Sequence, residues 1–238
     1  LAKAFSYVQA LLPSPLREGP IRTDWLFQPC AKLGGDAYGY GQIADNLFYG
    51  YLFDVSGHGA GAAMHSVAVM NLLRQRALPN ADMARPDEVL ACLNNMFGME
   101  DHADMYFTMW YGVFDRSARR LTYASAGHHP AYLLPPDRAE AVALRTPGPM
   151  IGAMPDRTWR AESVDVPAGA RLYVFSDGVF EIVTKDGQQW GLSDFVPLML
   201  QPPVPDLAES ERLFRAVHAA SRSSALDDDF SLVVMTFD

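Results

Sequence analysis

The chain has 238 residues, 49% of them hydrophobic and 20% charged, with a formal net charge of −9. Such a length can bury a substantial core, in one large domain or two small ones. The acidic balance argues against nucleic acid or an anionic membrane as the main partner, because both reward basic patches and no Lys/Arg-rich run is present.

In chain order, LAKAFSYVQALLPSPL predicts a short amphipathic helix stopped by Pro13 and Pro15. TDWLFQPC, DAYGYGQI and NLFYGYLFDV follow as strands, rich in aromatics and broken by Gly, Asp and Asn. GAAMHSVAVMNLLRQRAL has helical apolar spacing, and PDEVLACLNNMF is a second helix with Pro86 suited to its first turn. Strands resume with MYFTMWYGVFD, RRLTYASAGH, YLLPP, AEAVALRT, WRAESVDV and ARLYVFSDG, several joined by hairpin-length links. LSDFVPLML and LAESERLFRAVHAASR read as helices and DFSLVVMTF as a closing strand. This order is not the βαβ alternation of a parallel sheet. It predicts an α+β fold, two packed antiparallel sheets with helices on the outside. Residues 1–18 are expected to be a helix and linker from an upstream regulatory domain, and residues 19–238 one domain.

Cys30 and Cys92 belong to no CxxC and have no His at ligand spacing, which reads as two buried free thiols in a reducing compartment rather than a thiolate zinc site. No stretch approaches the ~20 apolar residues of a membrane span and no signal peptide is evident, so a cytoplasmic location is expected.

Four acidic positions share one pattern. Asp36 follows two glycines at a strand start, Asp54 ends a strand, Asp177 ends another before Gly178, and Asp227, Asp228 and Asp229 precede the last strand. Asp beside Gly is ordinary turn chemistry, as in KDGQ at 185–188. Four such positions at the tips of apolar strands are harder to explain as turns. Carboxylates gathered within ~4–6 Å repel unless protons or cations intervene. An all-oxygen donor set favours Mg²⁺ or Mn²⁺, with Ca²⁺ as an alternative, over zinc. Two such ions ~3.5–4 Å apart make a recurring phosphoryl-transfer site.

LGGDAYGY, FDVSGHGAGAAM, YFTMWYGVFD, LTYASAGHHPAYLL, VFSDGVFE and DDDFSLVVM together resemble, in order, the motif series of SpoIIE-like metal-dependent serine/threonine protein phosphatases, relatives of protein phosphatase 2C. The resemblance runs from about Gln9 to the C-terminus. It implies an αββα sandwich and a centre holding two ions, Mg²⁺ or Mn²⁺. Asp36, Asp54, the Val55 carbonyl, Asp177 and Asp228 would be ligands, with Asp54 bridging the ions. Gly39 stands where many members carry a second Asp three residues after the first.

The resemblance also implies a phosphoprotein substrate, an anti-sigma-factor antagonist, and an upstream receiver or sensor domain. In relatives the N-terminal helix and the helices at about 62–76 and 86–98 relay regulation and dimerisation, so a homodimer is one expectation. His58, in the glycine loop after Asp54, is a candidate general acid for the leaving alkoxide or a hydrogen-bonded turn residue. His128 and His129 are expected to be structural, and Lys32 to contact substrate phosphate or solvent. Ser56 has no His/Asp pair at a recognisable spacing for a covalent mechanism. Two alternatives stand beside the enzyme: a phosphatase-fold module that binds a phosphoprotein without turnover, and a metal-dependent phosphodiesterase or nuclease, which the acidic charge disfavours.

Overall fold

The computed structural model describes residues 8–30, 34–102, 104–223 and 225–238. Most of the segment read as the N-terminal helix and Lys32 lie outside these residues; residues 8–11 are helical. The chain divides into two compact units, each built on one five-stranded antiparallel sheet carrying two helices.

The first unit holds strands β2 (Ala37–Ala44), β3 (Leu47–Val55), β4 (Phe107–Asp115), β5 (Arg120–Ala126) and β8 (Glu162–Asp165), side by side in that order. Helix α1 (Ala60–Gln75) packs on β2 and β3, and α2 (Pro86–Met96), with Pro86 in its first turn, packs on β4 and β5. β3 and β4 are buried along almost their whole length, on both faces. That is why they read as continuous apolar runs rather than alternating ones. Tyr49, Tyr51 and Tyr111 stack in the middle of this sheet.

The β2–β3 hairpin turns at Asp45–Asn46 and carries a bulge between Gln42 and Ala44. From Gln42↔Phe48 to Ala37↔Phe53 its register is unbroken. Arg76, in the left-handed conformation that ends α1, donates to the carbonyls of Gln42 and Ile43 and so braces the bulge.

The second unit holds β1 (Ile21–Gln28), β10 (Phe230–Phe237), β9 (Ala170–Phe175), β6 (Ala131–Leu134) and β7 (Val142–Leu144), in that spatial order. Helix α4 (Glu209–Ala220) packs on β1 and β10, and α3 (Leu192–Leu200) packs on α4. Its core joins Phe175, Phe195, Met199, Leu213 and Phe230. A buried ion network lies at the start of α4: Glu209 pairs with Arg138 at 2.9 Å and Arg212 at 2.7 Å. Burial alone would raise the Glu209 carboxyl. Hydrogen bonds from Arg212 and Arg138 override it and hold the group at about 2.

Every predicted strand and helix within the described residues is present. Both cysteines are half-buried rather than buried. No helix among the described residues is long and apolar enough to cross a membrane.

Candidate functional site

In the first unit the hairpin register sets the acidic geometry. Ala37 pairs with Phe53, so the next step of the ladder brings Asp36 opposite Asp54. The step after that is a bond from the Val55 N–H to the Gly35 carbonyl at 3.4 Å. Directly opposed residues in antiparallel strands have Cβ atoms roughly 4.5–5.5 Å apart, so the two carboxylates are neighbours by construction. Asp36 is buried at 4% exposure and Asp54 is half-buried.

Gly35 explains the double glycine before Asp36. A Cβ there would lie 2.8 Å from Val55 Cβ, 3.0 Å from its carbonyl carbon, and would overlap its carbonyl oxygen. Only a bare glycine lets the two backbones come this close. Ser66 of α1 holds the arrangement from behind, its hydroxyl donating to the Gly35 carbonyl at 2.5 Å. After Val55 the chain turns through Gly57 and Gly59, both at positive φ (84° and 92°), before α1 begins. His58 lies exposed on this loop.

In the second unit Asp177 follows β9 and opens a short 3-10 turn, Asp177–Val179. Burial, the charge of Asp228 and that of Glu181 push its carboxyl up to about 6. Gly178 repeats the device of Gly35: a Cβ would overlap the Asp229 carbonyl and approach the Asp228 carbonyl carbon at 3.3 Å. Ser176 ties the two segments, donating its hydroxyl to the Asp229 carbonyl and accepting the Ser231 N–H, each at 3.2 Å.

The three consecutive aspartates separate cleanly. Asp227 and Asp228 are exposed, while Asp229 is buried at 2% exposure and accepts the Cys30 N–H at 2.9 Å. Cys30 Sγ and carboxylate oxygens of Asp228 and Asp229 all lie within 4.8 Å of one another. Each unit thus brings one predicted pair together: Asp36 with Asp54 and Val55 in the first, Asp177 with Asp228 in the second.

Within each unit the predicted donors suit a divalent metal: in the first they are two carboxylates and the Val55 carbonyl, and in the second they are carboxylates, with Asp177 raised by burial and then by the charges of Asp228 and Glu181, the part a cation would relieve. Gly39 also receives a physical account. It pairs with Tyr51 across the hairpin, and a Cβ at 39 would lie 2.5 Å from the Tyr51 ring, so the ring fills the space of a second carboxylate.

Residues 48–238 match the family model for stage II sporulation protein E. The chain belongs to the SpoIIE family. Curated relatives of this SpoIIE-family chain include the phosphoserine phosphatase RsbP of Bacillus subtilis (strain 168), 27% identical over 171 residues that make up 71% of this chain and 42% of RsbP. The phosphoserine phosphatase RsbU of the same strain is 25% identical over 218 residues, 87% of this chain and 60% of RsbU. The chain therefore spans about half the length of these relatives.

Among solved structures, the SiaA-PP2C domain of Pseudomonas aeruginosa superimposes with a TM-score of 0.76 at 21% identity, covering 91% of this chain and 85% of that one. The SpoIIE phosphatase domain with part of its regulatory domain, from Bacillus subtilis, gives 0.76 at 19% identity, covering 94% and 64%. At these identities the structures establish the shared fold alone: two five-stranded antiparallel sheets with helices.

Sequence reasoning missed two neighbours of the acidic pairs. Thr108 pairs with Asp54 across β3–β4, and its hydroxyl is 2.9 Å from His128 Nδ1. His128, expected to be structural, contacts the residue opposite Asp54. The other is Asp229, whose burial nothing in a run of three aspartates announces.

Proposed function

We propose that this chain is a Mg²⁺- or Mn²⁺-dependent phosphatase that hydrolyses phosphoserine or phosphothreonine on a signalling protein. The anti-sigma-factor antagonist class is its substrate, and a receiver or sensor domain regulates it in the cytoplasm. The observation that carries the reading is the register that sets Asp36 opposite Asp54, with Gly35 packed tightly against the Val55 carbonyl. Support comes from the family match and from relatives named phosphoserine phosphatases.

Asp36, Asp54 and the Val55 carbonyl of the first unit, and Asp177 and Asp228 of the second, are the groups that would hold the two ions. When bound, such ions polarise the phosphoryl group and activate water as nucleophile. The chain's own contribution is placement. The β2–β3 ladder fixes two carboxylates, and the Ser176 bonds fix the segment carrying Asp228 against the turn carrying Asp177. His58, exposed on its glycine loop, would give a proton to the serine or threonine alkoxide as it leaves.

Asp54→Asn and Asp228→Asn are each expected to abolish Mn²⁺-stimulated hydrolysis of p-nitrophenyl phosphate while leaving the urea midpoint close to wild type. Undiminished turnover in both variants refutes the assignment. His58→Ala should slow turnover of a phosphoserine peptide far more than that of p-nitrophenyl phosphate, whose leaving group needs no proton. Gly39 favours a second reading, a phosphoprotein-binding module without turnover. EDTA-sensitive hydrolysis by the isolated chain decides between them.

A further inference from the structure

The second unit contains a cavity of about 430 Å³ for which the phosphatase reading has no use. Residues of β1, β9 and β10 line it, together with residues 15–17 and Ala208, the cap at the N-terminal end of α4. Four arginines contribute to its wall, Arg17, Arg22, Arg138 and Arg171, against two carboxylates, Asp24 and Glu209. Both carboxylates are committed elsewhere. Asp24 accepts the N–H and the hydroxyl of Ser210, each at 2.8 Å, and Glu209 accepts from Arg138 and Arg212. Arg22 pairs with Asp238 at 2.6 Å. Arg17 and Arg171 make no side-chain hydrogen bond or ion pair among the described residues. The lining is thus positive in a chain whose net charge is −9.

Arg138 adds a buried charge to its wall. This residue is only 7% exposed, and all of its acceptors crowd onto one nitrogen. Nη1 donates to the carbonyls of Met199 and Gln201, both at 2.8 Å, and to Glu209 at 2.9 Å. Nε and Nη2 are buried and meet no acceptor. Those two atoms carry three of the guanidinium's five N–H groups. A guanidinium keeps its charge when buried, so Arg138 adds positive potential to the cavity from within its wall, although its Nε and Nη2 are too covered to touch a ligand there.

We infer that this cavity binds a small anion carrying at least two phosphate groups, of the pyrophosphate or nucleoside diphosphate class. Guanidinium forks match phosphoryl oxygens in pairs. The volume lies within the range of about 300–1,000 Å³ common for small-molecule pockets. Trp25, also on the wall, gives an aromatic surface for a base.

The test is isothermal titration of the whole chain in EDTA, which removes cation-dependent binding at the acidic pairs, with pyrophosphate, ADP and sulfate as probes. Pyrophosphate or ADP is expected to bind one to one. The double variant Arg17→Ala/Arg171→Ala should weaken that binding by about tenfold or more, or about 1.4 kcal/mol or more. Its urea midpoint and its Mn²⁺-stimulated turnover of p-nitrophenyl phosphate should match wild type. Failure of both phosphorylated probes to bind overturns the inference, as does an affinity that the double variant leaves unchanged. Sulfate binding as tightly as pyrophosphate, or a phosphoserine peptide binding where ADP does not, overturns it equally.

Discussion

Substituting Gly35 by alanine tests whether the acidic pair depends on a contact between two backbones. The added methyl would meet Val55 Cβ at 2.8 Å and its carbonyl carbon at 3.0 Å, besides overlapping the carbonyl oxygen. None of these atoms is the far end of a flexible side chain, so the ends of β2 and β3 must part. Parting them loses the 3.4 Å bond from the Val55 N–H to the Gly35 carbonyl, about 0.5–1.5 kcal/mol. The overpacking itself costs about 1–3 kcal/mol. A total of roughly 2–4 kcal/mol corresponds to a melting temperature lower by roughly 5–15 °C in a protein of this size. The same displacement moves Asp36, Asp54 and the Val55 carbonyl apart, so Mn²⁺ affinity should fall with it. Gly61→Ala is the control. Gly61 lies in α1 with open space where a Cβ would go, and there alanine should stabilise by roughly 0.5–1 kcal/mol. Thermal melts and Mn²⁺ titration of the two variants measure both effects. Wild-type Mn²⁺ affinity and turnover in Gly35→Ala would show that the close approach is not what sets the acidic pair.

Glu209→Ala strands two guanidiniums whose side chains are 5% and 7% exposed, and should cost about 3–5 kcal/mol in urea unfolding. The wild-type carboxyl titrates at about 2 when folded and near 4.3 when unfolded, so the unfolded chain takes up its proton first as pH falls. Its stabilisation is intact above about pH 4.3 and is lost toward pH 2; urea midpoints across that window should slope less in Glu209→Gln. His65 is buried, with Nε2 lacking a partner, and burial and then His102 lower it to about 4. Unfolded histidine protonates near 6.5, so this group withdraws stability as pH falls from about 6.5 to 4, and His65→Leu should remove that part of the pH dependence of the melting temperature. Gly39→Asp restores a carboxylate common in the family but meets the Tyr51 ring; about 2 kcal/mol or more of destabilisation is expected. Tighter Mn²⁺ binding with an unchanged melting temperature would contradict that account.

Much of this was legible in the residues. Asp54 and Asp177 could be placed at strand ends because the apolar runs LFYGYLF and LYVF stop at them, and burial of strands on both faces leaves that signature. What could not be read was any relation made across strands. The need for glycine at 35 is set by Val55, and that at 178 by Asp229. The nearness of His128 to Asp54 passes through Thr108, a residue with no marking of its own. The division of labour among Asp227, Asp228 and Asp229 depends on the Cys30 N–H, 199 positions from Asp229. The cavity beside α4 draws its arginines from four separate segments, none of them basic enough to attract notice alone.

The bulge between Gln42 and Ala44 stands between the hairpin turn and the acidic end of the ladder, with Arg76 gripping it. Lengthening or opening the chain at Asp45–Asn46 should therefore stop at the bulge and leave the spacing of Asp36 and Asp54 untouched. Removing a single residue between 37 and 42 would instead turn one carboxylate to the opposite side of the sheet. The tip of this hairpin is accordingly where a fluorophore, an affinity tag or new termini can be introduced without disturbing the acidic pair at its base.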